Sequence, residues 1–162
     1  QVCHRVLEQA EGMRLKNKTS LPDDLVREVI RFVRPPNTRV NEVVIRNAGK
    51  DRSGSGKANA GLRRRVRVWL PRASSKSCRD VWEPRKAYLG MVIGSRVECL
   101  VMLLAHELRH LWQGQGPPAK NRTEKPRPRK GMVYGARGRY SERDADAYAL
   151  HKLRQWRRGE LK

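Results

Sequence analysis

Acidic residues are scarce in this sequence. Asp and Glu number 16 against 37 Lys and Arg, which gives a formal net charge of +21 and a pI near 11.1. Because such an excess repels itself, an acidic partner is expected: nucleic acid first, then an anionic membrane surface or an acidic protein. A basic composition without a binding role is the alternative, because net charge alone identifies no site.

Aromatic residues, cysteines and long apolar segments are also few. Aromatics make up 6% and apolar residues 38% of the 162 residues, which suits one hydrophobic core and one domain spanning residues 1–162. The three cysteines cannot all pair with one another and form no CxxC, which favours a reducing compartment. No apolar stretch approaches the ~20 residues that cross a bilayer, and no signal-like block opens the chain. The expectation is a cytoplasmic protein, although the start at Gln1 leaves an upstream leader or flanking domain open.

Two helices are predicted before the first strand. Residues 2–15 place several apolar side chains on one helical face. The segment SLPDDLVREVIRFVRPP indicates a clearer helix, in which Ser20 is the N-cap, Pro22 lies in the first turn and Pro35 follows the end. Its apolar residues recur at helical spacing and would face the core together: Leu25, Val29, Ile30 and Val33.

Two segments have the composition of strands. Residues 39–46 are rich in β-branched side chains, and residues 63–70 alternate arginine with apolar residues. Alternation implies one face on a core and one face in water, as in an antiparallel or edge strand. The intervening segment GKDRSGSGKANAG is predicted to be a flexible loop. Residues 71–94 receive no assignment.

The best helix in the chain is predicted over residues 95–113. Ser95 and Glu98 form a capping box at its start, and Gly114 is a natural stop at its end. The run between them is so apolar that this helix should be buried on nearly all sides.

A long loop and a last helix complete the chain. The loop, at about residues 114–139, is rich in glycine, proline and basic residues, and it is either functional or a solvated, mobile segment. The last helix is predicted to begin near Ser141, with Asp144 completing a second capping box, and to run to about Arg158.

The central helix carries the spacing H-E-x-x-H. His106 and His110 lie four residues apart, so their imidazoles share one helical face and can reach a single point. Zn²⁺ accepts two such nitrogens, and Glu107 beside them can hold a water as general base. Two histidines that are merely hydrogen-bonded in the core are the alternative, but burying these three groups without a partner would be costly.

A catalytic zinc usually takes a third protein ligand, and the last helix offers one. Glu142 and Asp146 lie four residues apart there, with alanines between and beyond them that allow close approach. One carboxylate can bind the metal while the other accepts the distal N–H of a ligand imidazole. His4 and His151 are poorly placed, and Asp144 lies about 160° around the helix from Asp146.

These two motifs resemble a known family. His106-Glu107-x-x-His110 followed by Glu142-x-x-Ala145-Asp146 is similar to the gluzincin branch of the zincin metallopeptidases, and especially to ImmA/IrrE and HtpX-type proteins. The resemblance implies Glu142 as third zinc ligand and Asp146 as support for a ligand histidine. It also implies a compact α+β, zincin-like domain, in which a small, mostly antiparallel sheet packs on the HExxH helix and a C-terminal ligand-bearing helix. Arg109 stands where ImmA/IrrE proteins typically have glycine.

The function expected from this site is that of a zinc metallopeptidase, a hydrolase of peptide bonds. Glu107 would take a proton from the metal-activated water and pass it to the leaving amine. The candidates for steadying the oxyanion are Tyr134, Tyr140 and His151. Residues 63–70 resemble the zincin edge strand, against which an extended protein or peptide substrate could pair. Their arginines would favour acidic or nucleic-acid-associated substrates.

A second class of function stays open. The chain could be a basic nucleic-acid-binding protein on a zincin scaffold, with a structural or vestigial metal. Its phosphate contacts would come from basic residues 119–139 and 63–67. An intact Glu107 favours the enzyme, because a purely structural metal site has no need of that base.

Overall fold

The structure is a computed structural model that describes residues 12–50, 52, 54–72, 93–116, 120, 121, 123, 128–133 and 139–159, with the side chains of residues 139 and 140 not described. The described strands are β1 (Arg14–Asn17), β2 (Glu42–Asn47), β3 (Ser55–Asn59) and β4 (Arg65–Leu70). The described helices are α1 (Asp23–Val33), between β1 and β2, followed after β4 by α2 (Arg96–Gly114) and α3 (Arg139–Arg157). The described part of the chain is therefore a small α+β domain.

The four strands form one mixed sheet in the order β1-β2-β4-β3. The β1–β2 and β2–β4 pairs are parallel, and only β3 runs antiparallel, against β4. The expectation of a mostly antiparallel sheet is therefore wrong. So is the expectation that residues 63–70 form an edge strand, because β4 lies between β2 and β3. Alternation in β4 reports one covered and one open face, which an internal strand can also have.

The described sheet ends at β1 on one side and at β3 on the other, and β3 lies within the segment that is expected to be a flexible loop. Its sequence, SGKAN, lacks the β-branched and aromatic residues that mark strands. All five residues nevertheless pair with β4, from Ser55 opposite Trp69 to Asn59 opposite Arg65. Partner pairing and the neighbouring helix α2, rather than local propensity, hold this strand in place.

One face of the sheet and the three described helices enclose the core, with Ala149 and Leu153 contributed by α3. The sheet contributes alternate residues, α1 contributes four buried side chains, and α2 is buried from Cys99 to Arg109 without interruption. The core residues of the sheet are Val43, Ile45, Val66, Val68 and Leu70. The near-complete burial predicted for the central helix is confirmed. None of the described helices is long and apolar enough to span a membrane.

The first helix is shorter than predicted. It begins at Asp23, so Pro22 occupies the N-cap position without a side-chain cap bond, and Ser20 lies outside the helix. Val26 is fully buried while Leu25 is only half-buried, so the buried stripe is rotated slightly from the expected one. The helix expected over residues 2–15 falls mostly outside the described residues, and its end, from Arg14, is strand β1.

The start of α2 follows its prediction, whereas that of α3 does not. The Ser95 hydroxyl accepts the Glu98 backbone N–H at 3.1 Å, which confirms the cap. The Glu98 carboxylate also accepts two hydrogen bonds from the Arg157 guanidinium of α3, at 2.8 and 3.0 Å. Helix α3 begins at Arg139, so Ser141 lies within its first turn instead of capping it.

Candidate metal centre

Two histidines of α2 and one glutamate of α3 converge on one point. His106 Nε2 and His110 Nε2 lie 3.0 Å apart, with their rings nearly perpendicular. Glu142 closes the group, its Oε2 3.2 Å from His106 Nε2 and its Oε1 2.8 Å from His110 Nε2. Ligand atoms on a tetrahedral zinc at 2.0–2.1 Å are separated by about 3.3 Å, so this group needs little expansion to hold an ion. The three residues could hold a metal ion.

Close packing of α2 against α3 brings the glutamate to the histidines. Helix α3 presents Ala145, Ala149 and Leu153 to α2, and all three are fully buried. Small side chains let the two backbones approach, and the spacing places Glu142 and Asp146 on the same side of α3. The close approach expected from the alanines of the last helix is confirmed for Ala145 and Ala149.

Each histidine has a second partner that orients its ring. His106 Nδ1 lies 2.8 Å from Asp146 Oδ1, and His110 Nδ1 lies 2.8 Å from Gln113 Oε1. Both partners are oxygens, so each ring can keep a proton on Nδ1 while a metal ion takes the place of the Nε2 proton. Asp146 takes the predicted supporting position. Gln113 was missed, although its spacing of three residues from His110 could have indicated it.

The cluster is electrostatically prepared for a cation. Burial alone would lower the His106 pKa, but hydrogen bonds to Asp146 and Glu142 and the charge of Glu107 outweigh burial and raise it to about 9. Hydrogen bonds from His106 and His110 lower the pKa of Glu142 far below its usual range. The group therefore favours positive charge among its imidazoles, and a divalent cation supplies that charge.

Glu107 lies beside the cluster without joining it. Its carboxylate is 7% exposed, and Oε1 is 3.9 Å from His106 Nε2. The side chain packs directly over Gly56 of β3, where an added Cβ would lie 2.5 Å from Glu107 Cγ and 2.8 Å from Oε1. A larger residue at position 56 would force the Glu107 side chain or strand β3 to shift, so β3 limits where the Glu107 carboxylate can lie.

Arg109 and Asp144 form a buried ion pair behind the cluster. Arg109 donates to Asp144 through Nε at 2.8 Å and Nη2 at 3.1 Å, and its guanidinium lies over the Trp112 ring at 3.8 Å. The fully buried Asp144 also accepts Gln113 Nε2 and the Val133 backbone N–H, both at 2.8 Å. Asp144 is therefore neither a metal ligand nor the helix cap that was expected. An arginine buried in an apolar helix requires a carboxylate partner, so Arg109 itself could have indicated the role of Asp144.

Residues 128–133, a described part of the basic segment after α2, pack against α2 and α3. Arg109 Nη2 donates to the Gly131 backbone carbonyl at 3.0 Å. Arg129 donates to the Trp112 carbonyl at 2.6 Å, and its guanidinium lies 4.4 Å from the Trp112 ring centroid. The Trp112 ring thus lies within reach of two guanidinium groups, and residues 128–133 are anchored to α2 and α3.

Of the three candidates for steadying an oxyanion, the structure describes the side chain of His151 alone, and it does not lie beside the cluster. Tyr134 lies outside the described residues, and the side chain of Tyr140 is not described. His151 is exposed on α3, nine residues after Glu142 and about 180° around the helix. The outward position of His151 follows from that phase, which sequence reasoning did not apply to it.

Comparisons with known proteins found no matching family model, no matching curated protein and no matching solved structure. The likeness to gluzincins therefore rests on the two sequence motifs.

Proposed function

We propose that this chain is a zinc-dependent endopeptidase. The observation that carries the proposal is the approach of Glu142, from a separate helix, to both imidazole Nε2 atoms, with Glu107 held beside them. Two histidines and one glutamate are a known donor set of catalytic zinc, whereas structural zinc sites have four protein ligands. Within the described residues the group has three, which leaves one position for water and substrate.

The residues divide the chemistry among them. A bound Zn²⁺ would supply a Lewis acid that polarises the scissile carbonyl and lowers the pKa of water towards about 7. Glu107 accepts a proton from the attacking water and returns it to the amine as the carbon–nitrogen bond breaks. Asp146 and Gln113 keep the two imidazoles in the tautomer and orientation that ligation requires.

In this proposal an extended substrate pairs with strand β3, and not with residues 63–70 as the sequence predicts. The one described partner strand of β3 is β4, and Gly56 places β3 directly against Glu107. An extended peptide that pairs with the other edge of β3 would pass close to the general base. The basic side chains of the neighbouring strands favour substrates that are acidic or held near nucleic acid. The proposed location of this activity is the cytoplasm.

The test is proteolysis with matched controls. Purified protein is incubated with casein and with a peptide library, with and without a chelator, beside the Glu107→Gln variant. Cleavage should stop with the chelator and fall by orders of magnitude in Glu107→Gln, which should keep its zinc because Glu107 is not a ligand. Zinc binding by the wild type without cleavage of any substrate would reject the enzyme and favour the alternative of a non-catalytic metal.

A further inference from the structure

The face of the sheet that points away from the core is strongly basic. Strand register and alternation place six basic side chains on it: Arg14, Lys16, Arg46, Lys57, Arg65 and Arg67. The one acid that the described strands add to this face is Glu42. No described helix packs there, because α1 and α2 lie on the core face. We call this surface the basic sheet face.

Ion pairing among the described residues leaves most of this charge unneutralised. Glu42 is 5% exposed and lies 3.3 Å from Arg14, 3.6 Å from Lys16 and 3.7 Å from Arg65. One buried carboxylate on β2 therefore pairs with three cations, two from β1 and one from β4. An excess of five positive charges remains on the strands of this face, where their mutual repulsion calls for an anionic partner.

The spacing of the charges fits a phosphate backbone. Neighbouring strands lie about 4.8 Å apart, and residues two apart along a strand are separated by about 6.6 Å. The array thus presents cations from all four strands on a surface about 14 Å wide. The cleft lined by Arg14, Lys16, Arg63 and Arg65, with a volume of about 430 Å³, continues this array towards the β3–β4 turn.

One aromatic ring lies at the end of the array. Trp69 is half-buried on the same face, opposite Arg46 and Ser55, and the Arg67 guanidinium lies 5.7 Å from its ring centroid. A base can stack on such a ring while neighbouring arginines contact the phosphates on either side. A duplex cannot do so without unstacking its bases, so the ring favours a single strand.

We propose that the basic sheet face binds single-stranded nucleic acid through its phosphate backbone, with Trp69 as a stacking position. The face lies on the opposite side of the sheet from α2, which carries His106 and His110. Nucleic acid bound there leaves the metal cluster accessible. This proposal does not depend on whether the cluster is catalytic.

The experiment compares two triple variants of equal charge in the full chain. The test variant changes three residues of the basic sheet face to glutamine: Arg46, Lys57 and Arg67. The control variant changes three arginines of helices α1 and α3 to glutamine: Arg27, Arg31 and Arg154. Binding of a fluorescein-labelled 20-nucleotide poly(dT) is measured by anisotropy over a series of salt concentrations, and circular dichroism checks that each variant is folded.

The expected result is a selective change in the salt dependence. Loss of three phosphate contacts should lower the slope of log K against log salt by about 2, since each single-strand contact contributes about 0.7. The control variant should keep a slope close to that of the wild type. Trp69→Ala should weaken binding about 5- to 150-fold, the range for one stacked base. Trp69→Phe should restore most of that loss.

Four outcomes would overturn the proposal. Equal losses in both triple variants would show that only net charge matters. Tighter binding of a 20-base-pair duplex than of the single strand would reject the single-strand assignment, and so would an unchanged affinity in Trp69→Ala. Binding to anionic lipid vesicles without binding to poly(dT) would assign the face to a membrane surface instead.

Discussion

Gly56→Ala should inactivate the proposed enzyme while leaving its metal in place. An added Cβ would lie 2.5 Å from Glu107 Cγ, roughly 1 Å closer than ordinary contact, and Glu107 Oε1 is nearly as close. The general base must therefore move by about 1 Å, or β3 must move away from α2. A misplacement of about 1 Å can cost about 100-fold in rate. The three atoms nearest to the added carbon all belong to Glu107, and none belongs to the candidate metal ligands. The zinc content should therefore be unchanged.

The assay for this change is kcat/KM on the best casein-derived peptide, measured beside zinc content and melting temperature. Gly61→Ala is the matched control, because Gly61 lies in the β3–β4 turn and its added Cβ would be 3.3 Å from one exposed side chain, that of Asn59. Gly61→Ala should retain near-normal activity. Full activity in Gly56→Ala would refute the reasoning, and loss of zinc along with activity would show a general disruption instead.

Three further predictions follow from the contacts around the cluster. Asp146→Ala and Gln113→Leu should each lower zinc affinity about 10- to 100-fold, as measured by competition with a fluorescent chelator; unchanged affinity would mean that neither orients a ligand ring. Asp144→Asn should cost about 3–5 kcal/mol in the free energy of urea unfolding, because it leaves a buried guanidinium without its counter-charge; a cost below about 1 kcal/mol would contradict that. Glu98→Gln should cost only about 0.5–1 kcal/mol at pH 7, since its pair is partly exposed. Because the hydrogen bond from Arg157 lowers the Glu98 pKa, this difference is present above the unfolded-state pKa and should vanish as the pH falls through the folded-state value; a difference that persists at low pH would exclude the ion pair as its source.

Local signals in the sequence were enough to predict helix α2 and the shared face of its two histidines. The capping residue Ser95, the apolar run and the spacing of His106 and His110 all act within about one or two helical turns. The placement of Glu142 needed more, because it depends on how α3 packs against α2. The resemblance to gluzincins supplied that distant information, and the structure brings Glu142 to the imidazoles as expected.

The order of strands could not be predicted in the same way. Strand β3 consists of small and polar residues whose conformation is imposed by pairing with β4 and by contact with α2. Helix α2 lies far from β3 in the sequence, and the alternation in β4 does not show which strand pairs with it. Residues 63–70 showed their alternation correctly, but alternation does not distinguish an internal strand from an edge strand when one face of the sheet is open.

The ion pair of Arg109 and Asp144 involves a residue that differs from the one typical of the resembled family, and this difference could have predicted the pair. Arg109 replaces a small residue of the resembled family and looks unsuited to an apolar helix. In the structure the family difference is compensated by a carboxylate on α3, two aromatic rings and a backbone carbonyl. By its position alone Asp144 suggests a helix cap or an unfavoured ligand, and its role follows only from the need of the buried Arg109 for a counter-charge.

The most direct test of the central claim is metal content by inductively coupled plasma mass spectrometry on three proteins purified alike. The wild type and Glu107→Gln should each retain about one zinc per chain, because Glu107 lies outside the donor set. Glu142→Ala should retain far less, because it removes one of three protein donors. Equal zinc in the wild type and Glu142→Ala, or no zinc in any of them after zinc is supplied during expression, would contradict the assignment of His106, His110 and Glu142 as a metal site.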